Sequence, residues 1–194
     1  MKRLLYTVLI GLVLAGIIHI LIVLLIPFYA QKDAWAKLGS TGGEWAFTVV
    51  AEPGAGKTTA LPLVDPSFGV AACRFDLSKS PLIVEAGGVL PFWSVSLFDR
   101  RGQNVYSFND RTAIGRQLFM IVVDPVQMAR MRRNPPEEAE RAVLVETDID
   151  KGFVLIRAFL DHAGREADIR TFLKDARCER YQLPEDPVST EGET

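Results

Sequence analysis

Hydrophobic and polar positions divide the chain into one long apolar block and a series of short alternating runs. Leu4 to Phe28 carries no formal charge over about 25 residues, and Lys2 and Arg3 stand just before it. As a helix rising ~1.5 Å per residue it reaches ~37 Å, more than the ~30 Å of a hydrocarbon core. The apolar region of a secretory signal is usually only ~7–15 residues. The run therefore predicts one transmembrane helix. Gly11 and Ala15 form a small-xxx-small pair within it that suits helix packing, and His19 is a tolerated polar residue.

Downstream the period changes to two. Val70 to Leu77 places Ala71, Cys73, Phe75 and Leu77 on one face and Arg74 and Asp76 on the other. Phe92 to Asp99 groups Trp93, Val95 and Leu97 opposite Ser94 and Ser96. Trp45 to Ala51 and Pro81 to Ala86 are short β-rich runs, and Asp99-Arg100-Arg101-Gly102 is a hairpin turn into Asn104–Phe108. Leu118–Val123 is continuously apolar, as in a strand covered on both faces. Ala142–Thr147 and Phe153–Leu160, joined by Asp148 to Gly152, predict a further hairpin.

Helices are fewer. Asp124-Pro125 supplies an N-cap and a first-turn proline, with arginines following in the last turn. Asn134-Pro135-Pro136-Glu137-Glu138 repeats the signature for a second short helix. Arg165 to Cys178 predicts the longest helix after the anchor, with Ile169, Phe172, Leu173 and Ala176 on one face. The expected organisation is an anchor over 1–30, a linker with a first strand over 31–64, a β-rich domain over 65–183 and a disordered acidic tail over 184–194. The fold class is α+β: a transmembrane helix, then one mainly antiparallel domain with a C-terminal helix packed on its sheet.

Lys2 and Arg3 bias the N-terminus to the cytoplasm, against Lys32, Lys37 and Asp33 on the far side. The domain is then expected across the membrane. The alternative is a cleaved signal with the small-x-small pattern Ala34-Trp35-Ala36, which the length and position of the run disfavour. With 24% charged residues and a net charge of −2, no basic stripe presents itself to nucleic acid. Arg130, Arg132 and Arg133 are followed at once by Glu137, Glu138 and Glu140, a solvated arrangement.

Cys73 and Cys178 are the only cysteines, too few for a closed zinc site. Two readings stand: a disulfide or two buried thiols. An oxidising compartment favours the disulfide, which would tie the last helix to the sheet and stabilise by roughly 2–4 kcal/mol.

Two patterns imitate chemistry. Ala51-Glu52-Pro53-Gly54-Ala55-Gly56-Lys57-Thr58 fits a relaxed phosphate loop, with Asp124 posing as a magnesium ligand. Such a loop needs a helix directly after Lys-Thr, and Pro62 and Pro66 leave no room for one. No nucleotide is expected. His162, in Asp161-His162-Ala163-Gly164, is the one histidine after the anchor and has the setting of a turn residue. No metal and no cofactor are expected.

A more specific pattern spans Asp65 to Ala113. Cys73-Arg74-Phe75-Asp76-Leu77-Ser78, the Pro81 strand, Phe92-Trp93-Ser94-Val95 and Tyr106-Ser107-Phe108-Asn109-Asp110-Arg111 together resemble the family catalogued as domain of unknown function 1254, particularly its short membrane-anchored bacterial members. The resemblance implies a fold and a compartment, the bacterial inner membrane with the domain in the periplasm, but no reaction. It also implies a partner, a separate protein carrying the companion domain of unknown function 1214. The residues themselves suggest a candidate ligand patch for an anion or sugar: Arg74, Asp76, Ser94, Asn109, Asp110 and Arg111. The leading expectation is a membrane-tethered binding or assembly module of the envelope. The alternative is an envelope enzyme acting on a carbohydrate or lipid-linked substrate through paired carboxylates drawn from Asp76, Asp99 and Asp110.

Overall fold

The computed structural model describes residues 1–54, 65–88 and 90–183, and their side chains except those of 27–34. The phosphate-loop pattern beyond Gly54 and the acidic tail lie outside the described residues. Helix α1 (Lys2–Thr41) runs unbroken through the apolar block and 13 residues past Phe28. Its segment Lys2–Ile26 is long and apolar enough to cross a membrane, and none of it is buried against the protein.

Nine strands follow among the described residues. β1 (Thr48–Ala51), β2 (Phe68–Asp76), β8 (Lys151–Phe159), β4 (Trp93–Asp99) and β5 (Asn104–Asn109) form one sheet in the order β1-β2-β8-β4-β5. The second sheet has the order β7-β6-β3-β9, from β7 (Val143–Glu146), β6 (Leu118–Val123), β3 (Leu82–Ala86) and β9 (Arg177–Arg180). Between the described strands every pairing is antiparallel except β6 with β7, and a single parallel bridge joins Glu44 to Arg74 outside them. The α+β class and mainly antiparallel character expected from the alternation are those observed.

The alternation in β2 and β4 explains the packing. Ala71, Cys73 and Phe75, with Trp93, Val95 and Leu97, point inward against Leu82, Val84 and Met120 of the second sheet in one shared core. Helix α3 (Glu166–Asp175) closes that core with Ile169, Phe172 and Leu173. Gly69 permits this approach: a Cβ there would stand 2.7 Å from Ile169 and 2.8 Å from Leu173. The second sheet is continuously apolar in β6 because its other face is also covered. There Ile121 and Val123 meet Met128 and Met131 of α2 (Pro125–Arg133). Asp124 and Gln127 form a reciprocal capping box on α2, at 2.7 and 2.9 Å.

Three local expectations are corrected. Val143–Glu146 and Lys151–Phe159 are not a hairpin: β7 pairs parallel with β6 and β8 enters the other sheet. The apolar runs were long enough for either pairing, and the four residues between the two strands, Thr147 to Asp150, carry the chain across the sandwich instead. The last helix stops at Asp175, Ala176 is extended, and Cys178 lies on β9 opposite Val84. Glu137–Glu140 is a single tight 3-10 turn.

Cys73 and Cys178 stand at disulfide distance, with sulfurs 1.91 Å apart and Cα atoms 6.5 Å apart. The link therefore joins β2 to β9, one sheet to the other, rather than a helix to a sheet.

Replacing both cysteines by alanine is expected to lower unfolding free energy by about 2–4 kcal/mol, read from urea denaturation without reductant. Gly152→Ala drives a Cβ into the Phe98 carbonyl and the Phe75 ring. It is expected to cost about 1–3 kcal/mol in the same assay.

Candidate functional site

Strand register decides which polar residues meet. Arg74 lies beside Phe153, which lies beside Phe98. Four residues earlier on β2, Val70 lies beside Arg157, which lies beside Ser94, itself opposite Asn109. At ~3.3 Å per residue the two rows are ~13 Å apart along the strands. The six-residue patch is thus split. Arg74 and Asp76 occupy one end of the five-stranded sheet; Ser94, Asn109, Asp110 and Arg111 occupy the other.

At the first end Asp76 is 1% exposed. Its carboxylate accepts from the Ser78 hydroxyl at 2.5 Å and the Ser78 amide at 3.2 Å. Lys151 and Lys79 approach it at 3.3 and 3.5 Å. Burial by itself would raise the Asp76 pKa. The Ser78 bond and then the two ammonium groups outweigh burial and hold the carboxyl below its ordinary range. Lys79 also bonds Glu44 at 3.0 Å, which raises the Lys79 pKa. An acid held this firmly ionised is a structural anchor rather than a proton donor.

Arg74 serves the same end differently. Its guanidinium lies 5.2 Å from the Trp35 ring centre of α1, and its Nε is buried without an acceptor. Its carbonyl accepts from the Trp45 amide at 2.9 Å. Leu38 of α1 is buried beside Val70, Ala72 and Phe153. Arg74 therefore clamps the end of the long helix and the chain leaving it onto β2.

Beside this cluster is a cleft of about 380 Å³ lined by Asp99, Arg100, Arg101, Ile149, Asp150 and Lys151. Asp99 is committed to the hairpin turn, accepting the Arg101 and Gln103 amides at 2.8 Å each. The cleft offers cationic groups, and its two other polar walls are carboxylates.

At the second end Asp110 is also 1% exposed. Its Oδ2 accepts from Arg116 at 2.6 Å, while its Oδ1 is buried without a donor. Arg116 and Gly115 both adopt left-handed backbone, φ 59° and 63°, which turns the Arg116 side chain back onto Asp110. Asn109 caps the turn by accepting the Arg111 amide at 3.0 Å and the Thr112 amide at 3.3 Å. His162 is an exposed turn residue whose Nδ1 lies 2.9 Å from Asp161. Among the described residues no group of three or more His, Cys, Asp or Glu side chains is placed to hold a metal.

Sequence reasoning missed Lys79, Lys151 and Arg116. Two carried a signal: Lys79 is three residues from Asp76, and Arg116 follows a glycine inside a turn. Lys151 carried none, because it reaches Asp76 only through the pairing of β2 with β8.

Residues 45–180 match the model of the family described as Protein of unknown function (DUF1254). No curated protein matches the chain. The chain is similar to the crystal structure of the VPA0106 protein from Vibrio parahaemolyticus, with TM-score 0.54 and 11% identity over 82% of this chain and 40% of that one. It is also similar to an uncharacterized protein from Burkholderia cenocepacia, with TM-score 0.48 and 14% identity over 84% of this chain and 44% of that one. The chain spans less than half the length of either, and the first likeness shows a shared fold alone.

The depressed Asp76 pKa sets a pH dependence. Its contribution to stability is complete above the ordinary value of 3.8 and is lost as pH falls through the lower folded value. Asp76→Asn is expected to cost about 1–3 kcal/mol near neutral pH. Urea titrations stepped down to about pH 2.5 are expected to show the gap between the two proteins closing.

Proposed function

The chain belongs to the family described as Protein of unknown function (DUF1254), and from that premise we propose a membrane-tethered module of the bacterial envelope that binds or assembles rather than catalyses. In this reading α1 is a single-pass anchor in the inner membrane, its N-terminus is cytoplasmic and the two-sheet domain works in the periplasm.

One observation carries the reading. The apolar segment Lys2–Ile26 continues as the same helix to Thr41, where Trp35 and Leu38 seat it against β2. A free signal segment has no need of a docked end, whereas an anchor that must hold a domain does. Lys2 and Arg3 favour the cytoplasmic side for the N-terminus. The cysteine pair fits an oxidising compartment, where such a link between sheets persists.

The geometry supports binding over acid–base catalysis. Asp76 is tied up by Ser78 and two lysines, Asp99 by backbone amides and Asp110 by Arg116. Asp110 also stands at the opposite end of the sheet from the other two, whereas paired glycosidic carboxylates lie within ~5–10 Å. The partner in this reading is a separate protein carrying the companion domain of unknown function 1214.

C-terminal fusions test the tether. Alkaline phosphatase is expected to be active and green fluorescent protein dark on the full chain, with the fusion resisting carbonate extraction. The opposite reporter pattern overturns the periplasmic assignment, and release of an intact domain by carbonate overturns the anchor. Affinity capture from solubilised membranes is expected to recover the companion-domain protein.

A further inference from the structure

The five-stranded sheet has an outer face as well as the one that meets the core. Cross-strand partners point to the same side of a sheet, and that rule sorts its residues. The half over β1 and β2 is apolar, with Val50, Val70 and Ala72 buried in one cluster with Leu38 of α1. The half over β8, β4 and β5 is polar. There Arg157, Ser94 and Asn109 stand side by side at ~4.8 Å per strand. Ser96 and Ser107 make a second row, their hydroxyls bonded at 2.9 Å.

Hydroxyls and amides alone make an ordinary wetted sheet face. Charge and aromatic content set this one apart. Arg157 is exposed, and among the described residues its guanidinium meets neither an acid nor a ring, while the Ser94 hydroxyl beside it has no partner. The acids nearest in sequence are committed: Asp110 to Arg116 at 2.6 Å, Asp161 to Arg165 at 2.9 Å. Asp65, three residues before Phe68, is turned into its own loop and accepts the Ser67 amide at 2.8 Å. The shelf therefore carries an uncompensated positive charge. One row beyond Arg157, ~7 Å along the strand, the same face becomes aromatic. Phe159 lies beside Phe68 with ring centroids 5.3 Å apart. Its amide donates to the Phe92 carbonyl at 3.1 Å, which brings Phe92 onto that row, and all three rings are only half-buried. A face that met water alone would gain nothing from them.

This combination fits one ligand chemistry. The C–H faces of a sugar ring carry slight positive charge and suit the negative face of a phenyl ring. A serine hydroxyl both donates to and accepts from sugar hydroxyls, and a guanidinium takes a carboxylate or sulfate through two parallel bonds. A simple phosphate would leave the rings unused, and a neutral sugar would leave the guanidinium unused. We infer that this shelf binds an acidic glycan chain, with Arg157 on its anionic group and the Phe159 row beneath its rings. That the glycan belongs to the envelope rests on the compartment proposed above; the preference for an acidic sugar does not.

The test titrates the full chain, in a detergent without sugar headgroups, with tetragalacturonate and with a heparin tetrasaccharide, read by calorimetry. Maltotetraose, inorganic phosphate and phosphatidylglycerol vesicles are the comparisons. An acidic oligosaccharide is expected to bind about tenfold or more tightly than maltotetraose or phosphate, and less tightly as salt is raised. Arg157→Gln is expected to weaken it about tenfold and to erase the preference over maltotetraose. Ser94→Glu removes no packing and is expected to weaken it at least as much by repulsion. Phe159→Ala is expected to cost about threefold or more, with Phe92→Ala in its place if the thermal midpoint shows the first variant unfolding. Failure of both acidic oligosaccharides to bind overturns the proposal. So does phosphate or maltotetraose binding as tightly, or folded Arg157→Gln and Ser94→Glu proteins that bind like the wild type. Vesicles or another protein that occupy the shelf through Arg157 and exclude the oligosaccharides overturn it as well. Reporter fusions showing a cytosolic domain would sink the envelope assignment while leaving these titrations unchanged.

Discussion

Each sheet of this domain has an apolar face that cannot be left in water, and the two faces can be hidden only against each other. That shared layer, with Phe75, Trp93 and Leu97 on one side and Leu82, Val84 and Met120 on the other, is the constraint to which the remaining elements answer. α3 closes one side of it, and Gly69 gives the helix its place by lacking a Cβ. β9 returns after α3 to complete the second sheet, bringing Cys178 within reach of Cys73 across the layer. A bond there restricts the unfolded chain over a separation of 105 residues, and it does so through the middle of the core.

Where a residue's fate is decided by its immediate neighbours, the sequence could be read directly. Alternation in Val70–Leu77 and Phe92–Asp99 revealed both strands and their inward faces. Asp124 before Pro125 announced α2, and the Arg100-Arg101-Gly102 turn announced the hairpin that joins β4 to β5. What failed was partner choice. Val143–Glu146 and Lys151–Phe159 look like two arms of a hairpin, yet their partners are β6 on one side and β2 and β4 on the other. Cys178 has helix-forming neighbours, and it became a strand residue because β3 had an open edge to offer it.

The candidate patch shows the same limit at the level of chemistry. Alternation correctly groups Arg74 with Asp76 and Ser94 with Ser96, but it carries no information about which end of one strand meets which end of another. Register separates the two groups, and burial then assigns them structural tasks. Asp76 gathers two lysines and a serine; Asp110 holds a left-handed arginine; Arg74 receives an aromatic ring from the long helix. Polar residues on neighbouring strand faces suggested ligand binding, while their contacts are largely with the protein itself.

The seat of α1 on β2 has a geometric corollary. A helix turns by about 100° and advances ~1.5 Å with each residue, so an uninterrupted shaft clamped at Trp35 and Leu38 fixes the azimuth of the whole sandwich relative to the apolar stretch. Adding or deleting one residue between the apolar stretch and the clamp would swing the domain roughly a quarter-turn, whereas seven residues would nearly restore its heading and lift it by ~10 Å. The length of that shaft is thus a phase setting, and it decides which flank of the domain looks toward a neighbour.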